Sequence, residues 1–143
     1  MHRRGSILRR MSLSGGVGAA AQPQHRVRVL VVEDADSVRA LLAYMLRRRG
    51  YEVIAVDNGP EALTRATDDI DVVVMDVGLP GLNGLEVCRR LRAEPATASL
   101  PIILLTGRSH HEDVRDGLRA GANEFLTKPF QEADLMSALK RLS

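Results

Sequence analysis

Residues 27–46 read VRVLVVEDADSVRALLAYML, and the change of pattern inside this stretch decides the fold. Val27–Val32 is apolar at every position except Arg28 and rich in β-branched side chains, as in a strand covered on both faces. Two acids, Glu33 and Asp34, end the run. From Val38 the period becomes helical: Val38, Leu41, Leu42, Met45 and Leu46 fall at i, i+3, i+4, i+7 and i+8. Asp36 or Ser37 is suited to cap the start of that helix. Arg47–Arg49 load its C-terminal end with positive charge, and Gly50 is suited to stop it.

The same strand-then-helix unit recurs to the end of the chain. Tyr51–Val56 reads as a second strand and Pro60–Ala66 as a short helix opened by Asn58-Gly59. Asp71–Met75 is a third strand, Gly78-Leu79-Pro80-Gly81 a loop and Asn83–Ala93 the third helix. Pro101–Leu105 and Glu124–Thr127 complete the strands; His111–Ala120, ended by Gly121, and Glu132–Leu142 complete the helices. Five βα units in residues 26–143 predict an α/β doubly wound sandwich with a five-stranded parallel sheet and helices on both faces. In such folds ligands bind beyond the carboxyl ends of the strands.

Residues 1–25 differ in kind. They are rich in Gly, Ala, Ser and Arg without sustained periodicity and read as a disordered basic tail. Met11 is an alternative start. Four of the chain's 20 basic residues and none of its 18 acids lie in this tail, so residues 26–143 carry 16 basic against 18 acidic groups. The formal net charge of +2 therefore belongs to the tail, and the remainder does not have the basic face of a nucleic-acid binder. No apolar run nears the roughly 20 residues that span a bilayer. The single cysteine, Cys88, has no disulfide partner within the chain and reads as a packing residue. A cytoplasmic protein is expected.

The polar residues at the ends of the apolar runs carry the chemistry. Glu33 and Asp34 follow the first run, Asp76 the third, Thr106 the fourth, and Lys128-Pro129 the fifth. In a parallel sheet all of them emerge at one edge. Gathered carboxylates repel one another, and a hard cation such as Mg2+ relieves that conflict with oxygen ligands. A carboxylate beside a metal ion and a lysine can also attack phosphorus, because both cations neutralise charge on the transferred group. Thr106 can donate to one phosphoryl oxygen and Lys128 can pair with another. Each residue alone is unremarkable; their joint placement is the signal.

The segments VLVVEDADSVR, VVVMDVGLPGLNGLEV, IILLTG and GANEFLTKPF resemble those of the response-regulator receiver domain of two-component phosphorelays. The resemblance covers residues 26–143 and implies the flavodoxin-like fold with strand order 2-1-3-4-5. Carried over by position, it makes Asp76 the phosphoacceptor, Asp34 a direct Mg2+ ligand and Glu33 an acid acting on the metal through water. The Gly78 carbonyl matches a further metal ligand, Thr106 the switch hydroxyl and Lys128 the lysine that grips the phosphoryl group. Lys128-Pro129 is expected to be a cis peptide. Phe125 matches the switch aromatic, which turns inward when Thr106 moves toward the phosphate and so alters the face formed by the fourth helix, fifth strand and fifth helix. Gly78 and Arg108 depart from the commonest family pattern and are expected to tune the lifetime of the aspartyl phosphate.

The function implied is acceptance of a phosphoryl group from a histidine kinase or histidine phosphotransfer protein, with signalling to an unknown downstream protein. The domain acts as a phosphoacceptor, not a turnover enzyme, and as a monomer or phosphorylation-dependent homodimer. It is expected to stand alone, since no output domain precedes Arg26 or follows Ser143. Ser37, Ala40 and Tyr44 lie off the apolar stripe of the first helix, on the face where receivers dock sensor kinases. His110 and His111 read as solvated residues at a helix start, since neighbours on a helix diverge. Two other readings compete: a phosphorylation-independent binding module with a vestigial pocket, and a haloacid-dehalogenase-type phosphohydrolase using Asp34. The second leaves Asp76 unexplained and has no room for a flap.

Overall fold

The computed structural model describes residues 26–107 and 111–142. Its elements alternate without exception: β1 (Arg28–Val32), α1 (Asp36–Arg48), β2 (Glu52–Val56), α2 (Gly59–Arg65), β3 (Val72–Asp76), α3 (Gly84–Ala93), β4 (Ile102–Thr106), α4 (His111–Ala120), β5 (Glu124–Thr127) and α5 (Glu132–Arg141). The five strands form one parallel sheet in the order β2-β1-β3-β4-β5. The order reverses beside β1, which places a crevice at the carboxyl ends of β1 and β3.

Alternation along each strand divides the core in two. Leu30, Val32, Val73, Met75, Ile102 and Leu104 face α2, α3 and α4, where Val87, Cys88 and Leu91 meet them. Val29, Val31, Val72, Val74, Ile103 and Leu105 face α1 and α5, against Leu42, Leu46, Leu135 and Leu139. β3 and β4 are buried along their whole length, which is why their sequences are nearly unbroken apolar runs.

Three local expectations need correction. Helix α1 is capped by Ala35, with no side-chain hydrogen bond, and not by Asp36 or Ser37; the Asp36 carboxylate is engaged instead by Arg39 at 2.6 Å. Leu41 is 56% exposed, and Ala43 is buried in its place, because the buried seam of α1 runs through Leu42, Ala43 and Leu46. Asp76 and Thr106 are the last paired residues of β3 and β4 rather than the first residues beyond them. The ladder continues even past Asp76, with Val77 N donating to Leu105 O at 2.7 Å.

Two of the other helices begin with ordinary side-chain caps. The Asn58 and Asn83 side chains cap α2 and α3 by accepting from the Glu61 and Glu86 amides. Past the arginine-rich end of α1, Gly50 turns the chain at φ +95°, a backbone angle that disfavours any residue with a Cβ.

Candidate functional site

Glu33 continues directly from β1 and its amide still bonds Val56 O at 3.1 Å, so its position is as fixed as the strand. Its side chain is buried, with the residue only 1% exposed. Oε1 accepts from Lys128 Nζ at 2.8 Å and Oε2 from the Ala35 amide at 3.2 Å. Asp34 is exposed, and Asp76, at the end of β3, is 7% exposed. One carboxylate oxygen from each of Glu33, Asp34 and Asp76 lies within 4.8 Å of the others. An all-oxygen set of one exposed and two buried acids, open at Asp34, fits Mg2+, which keeps part of its water shell.

Lys128 enters from beyond β5. Its amide donates to Thr106 O at 2.6 Å, which extends the β4–β5 pairing to the mouth of the site. Its ammonium bridges Glu33 and, at 3.2 Å, Asp76 Oδ1. Burial alone would lower the pKa of that ammonium. The hydrogen bond it donates to Glu33 and the charges of Asp76 and Glu33 outweigh burial and hold it above the usual lysine value. The Lys128–Pro129 peptide bond is cis.

Thr106 is buried at the end of β4. Phe125 is half-buried in β5 and packs on the core side that carries α4. Its ring lies over Gly117 of α4: a Cβ built on Gly117 would stand 2.9 Å from Phe125 Cε1 and 3.3 Å from Leu104 Cδ1. Gly78 is exposed, and a side chain there would begin 3.5 Å from Asp76 Oδ2. Arg108 and His110 lie outside the described residues, as does the tail expected over residues 1–25, while His111 opens α4.

Two residues that touch the backbone beneath this site are not evident from motif chemistry. A Cβ on Gly84, at the start of α3, would overlap the Asp76 carbonyl oxygen, so only glycine lets α3 approach the end of β3. The available signal was a glycine in the first turn of a predicted helix, where it otherwise weakens the helix. Arg39 reaches back from α1 to the carbonyls of Glu33 and Asp34, at 3.0 and 3.4 Å. An arginine one turn into a helix reads from sequence as surface charge.

On α1, Tyr44 is 60% exposed beside Leu41, with the Arg48 guanidinium 5.4 Å from its ring centroid. Arg48 and Arg49 both pair with Glu132 and so tie α1 to the start of α5.

A parallel α/β sheet whose crevice gathers three acids and a lysine has groups suited to a divalent cation and an anion. Residues 29–140 match the model of the response regulator receiver domain, and the chain belongs to that family of two-component signalling domains. It is 40% identical over 116 residues to the phosphate regulon transcriptional regulatory protein PhoB of Rhizobium meliloti, covering 80% of this chain and 51% of that protein. Among solved structures, the chemotaxis protein CheY4 of Vibrio cholerae superposes with a TM-score of 0.79 at 32% identity, over 83% of this chain and 100% of that one. The receiver domain of the sensor histidine kinase PA1611 of Pseudomonas aeruginosa, solved with a magnesium ion coordinated in its active-site cleft, gives 0.75 at 35% identity, over 82% and 98%. The chain spans about half the length of the curated regulators it matches. Among the described residues no helix is long and apolar enough to cross a membrane.

Proposed function

We propose that Asp76 accepts a phosphoryl group from the phosphohistidine of a histidine kinase or histidine phosphotransfer protein. The observation that carries this reading is the meeting of Glu33, Asp34 and Asp76 within 4.8 Å, with Lys128 held 3.2 Å from Asp76. An Asp76 carboxylate oxygen bonds to phosphorus as the P–N bond breaks. The electron pair returns to the imidazole, which takes a proton from solvent. Water later cleaves the acyl phosphate, restoring the carboxylate and releasing inorganic phosphate.

Glu33, Asp34, Asp76 and the carbonyl of Gly78 would hold Mg2+. Bound Mg2+ supplies positive charge against the phosphoryl oxygens. Lys128 neutralises another of those oxygens, and the Thr106 hydroxyl donates to a third. Gly78 leaves the Asp76 carboxylate uncovered on its side, and Gly78 and Arg108 together set how long the acyl phosphate lasts.

The signal passes outward through Thr106 and Phe125. Movement of Thr106 toward the phosphoryl group frees the neighbourhood of the Phe125 ring. That ring touches α4 through Gly117, so its displacement alters the α4–β5–α5 face. A downstream protein, or a second copy of this domain, reads that face. The exposed Leu41 and Tyr44 on α1 are the proposed anchors for the kinase. A domain fed by a histidine kinase of this kind works in the cytoplasm.

Incubation with acetyl phosphate or phosphoramidate and Mg2+, followed by intact mass, tests the reading. Wild type is expected to gain one phosphoryl group transiently, and Asp76→Asn none. A wild type that stays unlabelled while a control receiver is labelled would leave only a protein-binding role.

A further inference from the structure

We propose that Arg39 is a positioning residue for cation binding: its guanidinium fork holds the backbone from which Glu33 and Asp34 reach the site. This rests on the reading of Glu33, Asp34 and Asp76 as a Mg2+ site. The turn between β1 and α1 must turn two consecutive carboxylates toward one point, yet α1 has no side-chain cap to order that turn. The Ala35 amide, donating to Glu33 Oε2, orders part of that turn, and Arg39 adds a hold on its carbonyls from inside the helix. Nη1 donates to Glu33 O at 3.0 Å and to Asp34 O at 3.4 Å, while Nη2 donates to Asp36 Oδ1 at 2.6 Å.

With their carbonyls drawn toward Arg39, residues 33 and 34 have restricted peptide planes, and their side chains leave on the site's side. The arginine is itself restrained: its side chain is 22% exposed, whereas its Asp36 partner is 91% exposed. Asp36 thus acts as an anchor for Arg39 and not as a helix cap. A planar fork with several fixed donors can hold two carbonyls and a carboxylate at once; a lysine head, a single compact charge on a flexible stem, cannot.

The sign of the effect separates positioning from bystander charge. A cation near a divalent-metal site opposes metal binding, so removing a bystander arginine would tighten it. Loss of an outer partner that orients ligands instead weakens metal affinity by about 10–100-fold.

The test is calorimetric titration of Mg2+ into wild type, Arg39→Gln, Arg39→Lys, Asp36→Ala and a control, Arg65→Gln, in the exposed last turn of α2. Circular dichroism confirms that each variant is folded. Arg65→Gln is expected to bind as wild type does. Arg39→Gln is expected to raise the Mg2+ dissociation constant about 10-fold or more, with Arg39→Lys still weakened and Asp36→Ala weakened less. Arg39→Lys keeps the charge and removes only the fork, so it carries the test if Arg39→Gln does not fold. Unchanged or tighter binding by the Arg39 variants overturns the inference alone, as does full rescue by lysine. A wild type that takes up no Mg2+ overturns both the inference and the metal-site reading.

Discussion

Lys128 and Glu33, 95 positions apart in the chain, are joined by a hydrogen-bonded ion pair of 2.8 Å. The lysine lies beyond the edge strand β5 and the glutamate beyond the inner strand β1, so the pair spans the sheet's functional edge. A buried carboxylate left without its partner is costly, at about 3 kcal/mol for a pair of this kind. Lys128→Met should therefore lose about that much stability in urea unfolding at neutral pH. Because the folded pKa of Lys128 is raised above its usual 10.5, its contribution is complete below that value and is lost as pH rises through the folded one. Between neutral pH and about pH 9 the gap between wild type and Lys128→Met should be flat, and it should close at higher pH. A gap that persists once the lysine has lost its proton would assign the stability to another group. Tyr51, raised by burial, also destabilises the fold when it ionises, but it does so in both proteins.

Asp34 should behave oppositely with and without metal. Without Mg2+ it is an exposed acid beside two buried ones, and Asp34→Asn relieves repulsion; the melting temperature should rise by about 2–4 °C. Added Mg2+ should stabilise wild type by mass action and the variant much less. Thermal melts across a Mg2+ titration check both signs. Equal Mg2+ shifts in the two proteins would remove Asp34 from the ligand set.

Gly84→Ala should cost about 3 kcal/mol or more, since its Cβ meets the Asp76 carbonyl and backbone must move. Gly107→Ala, where the added atom meets nothing within 4 Å, is the matched control. Urea denaturation of the two variants gives the comparison, and similar midpoints would contradict the close approach of α3 to β3.

Gly117→Ala places a methyl group 2.9 Å from the Phe125 ring, so either the ring or α4 shifts. The expected result is a changed Phe125 ring spectrum by NMR and a cost of about 1–3 kcal/mol. Phe125→Leu, which relieves the crowding, should recover part of that loss in the double variant. Simple additivity would mean that the two residues do not meet.

The fold was legible because buried parallel strands leave an unmistakable trace, as in DVVVM and PIILL, and because each run ends in a polar residue. The same runs mark where Asp76, Thr106 and Lys128 stand. The rotation of α1 about its axis was less legible: Leu41 and Leu42 are adjacent apolar residues, and only packing decides that Leu42 faces the core while Leu41 faces outward. The Asp36 cap failed for a related reason. Cap preference weighs a side chain against its own helix, whereas Asp36 was claimed by Arg39 three residues on. Gly84 acts through a backbone approach across the fold, which no local pattern records.

The most direct test of the account is the location of the covalent phosphate. After labelling with acetyl phosphate and Mg2+, borohydride reduction converts an aspartyl phosphate to homoserine, and peptide mass spectrometry identifies the position. The account predicts homoserine at residue 76 alone, absent when Mg2+ is withheld. Homoserine at residue 34, with residue 76 intact, would contradict it and point to phosphohydrolase-type chemistry at the other aspartate.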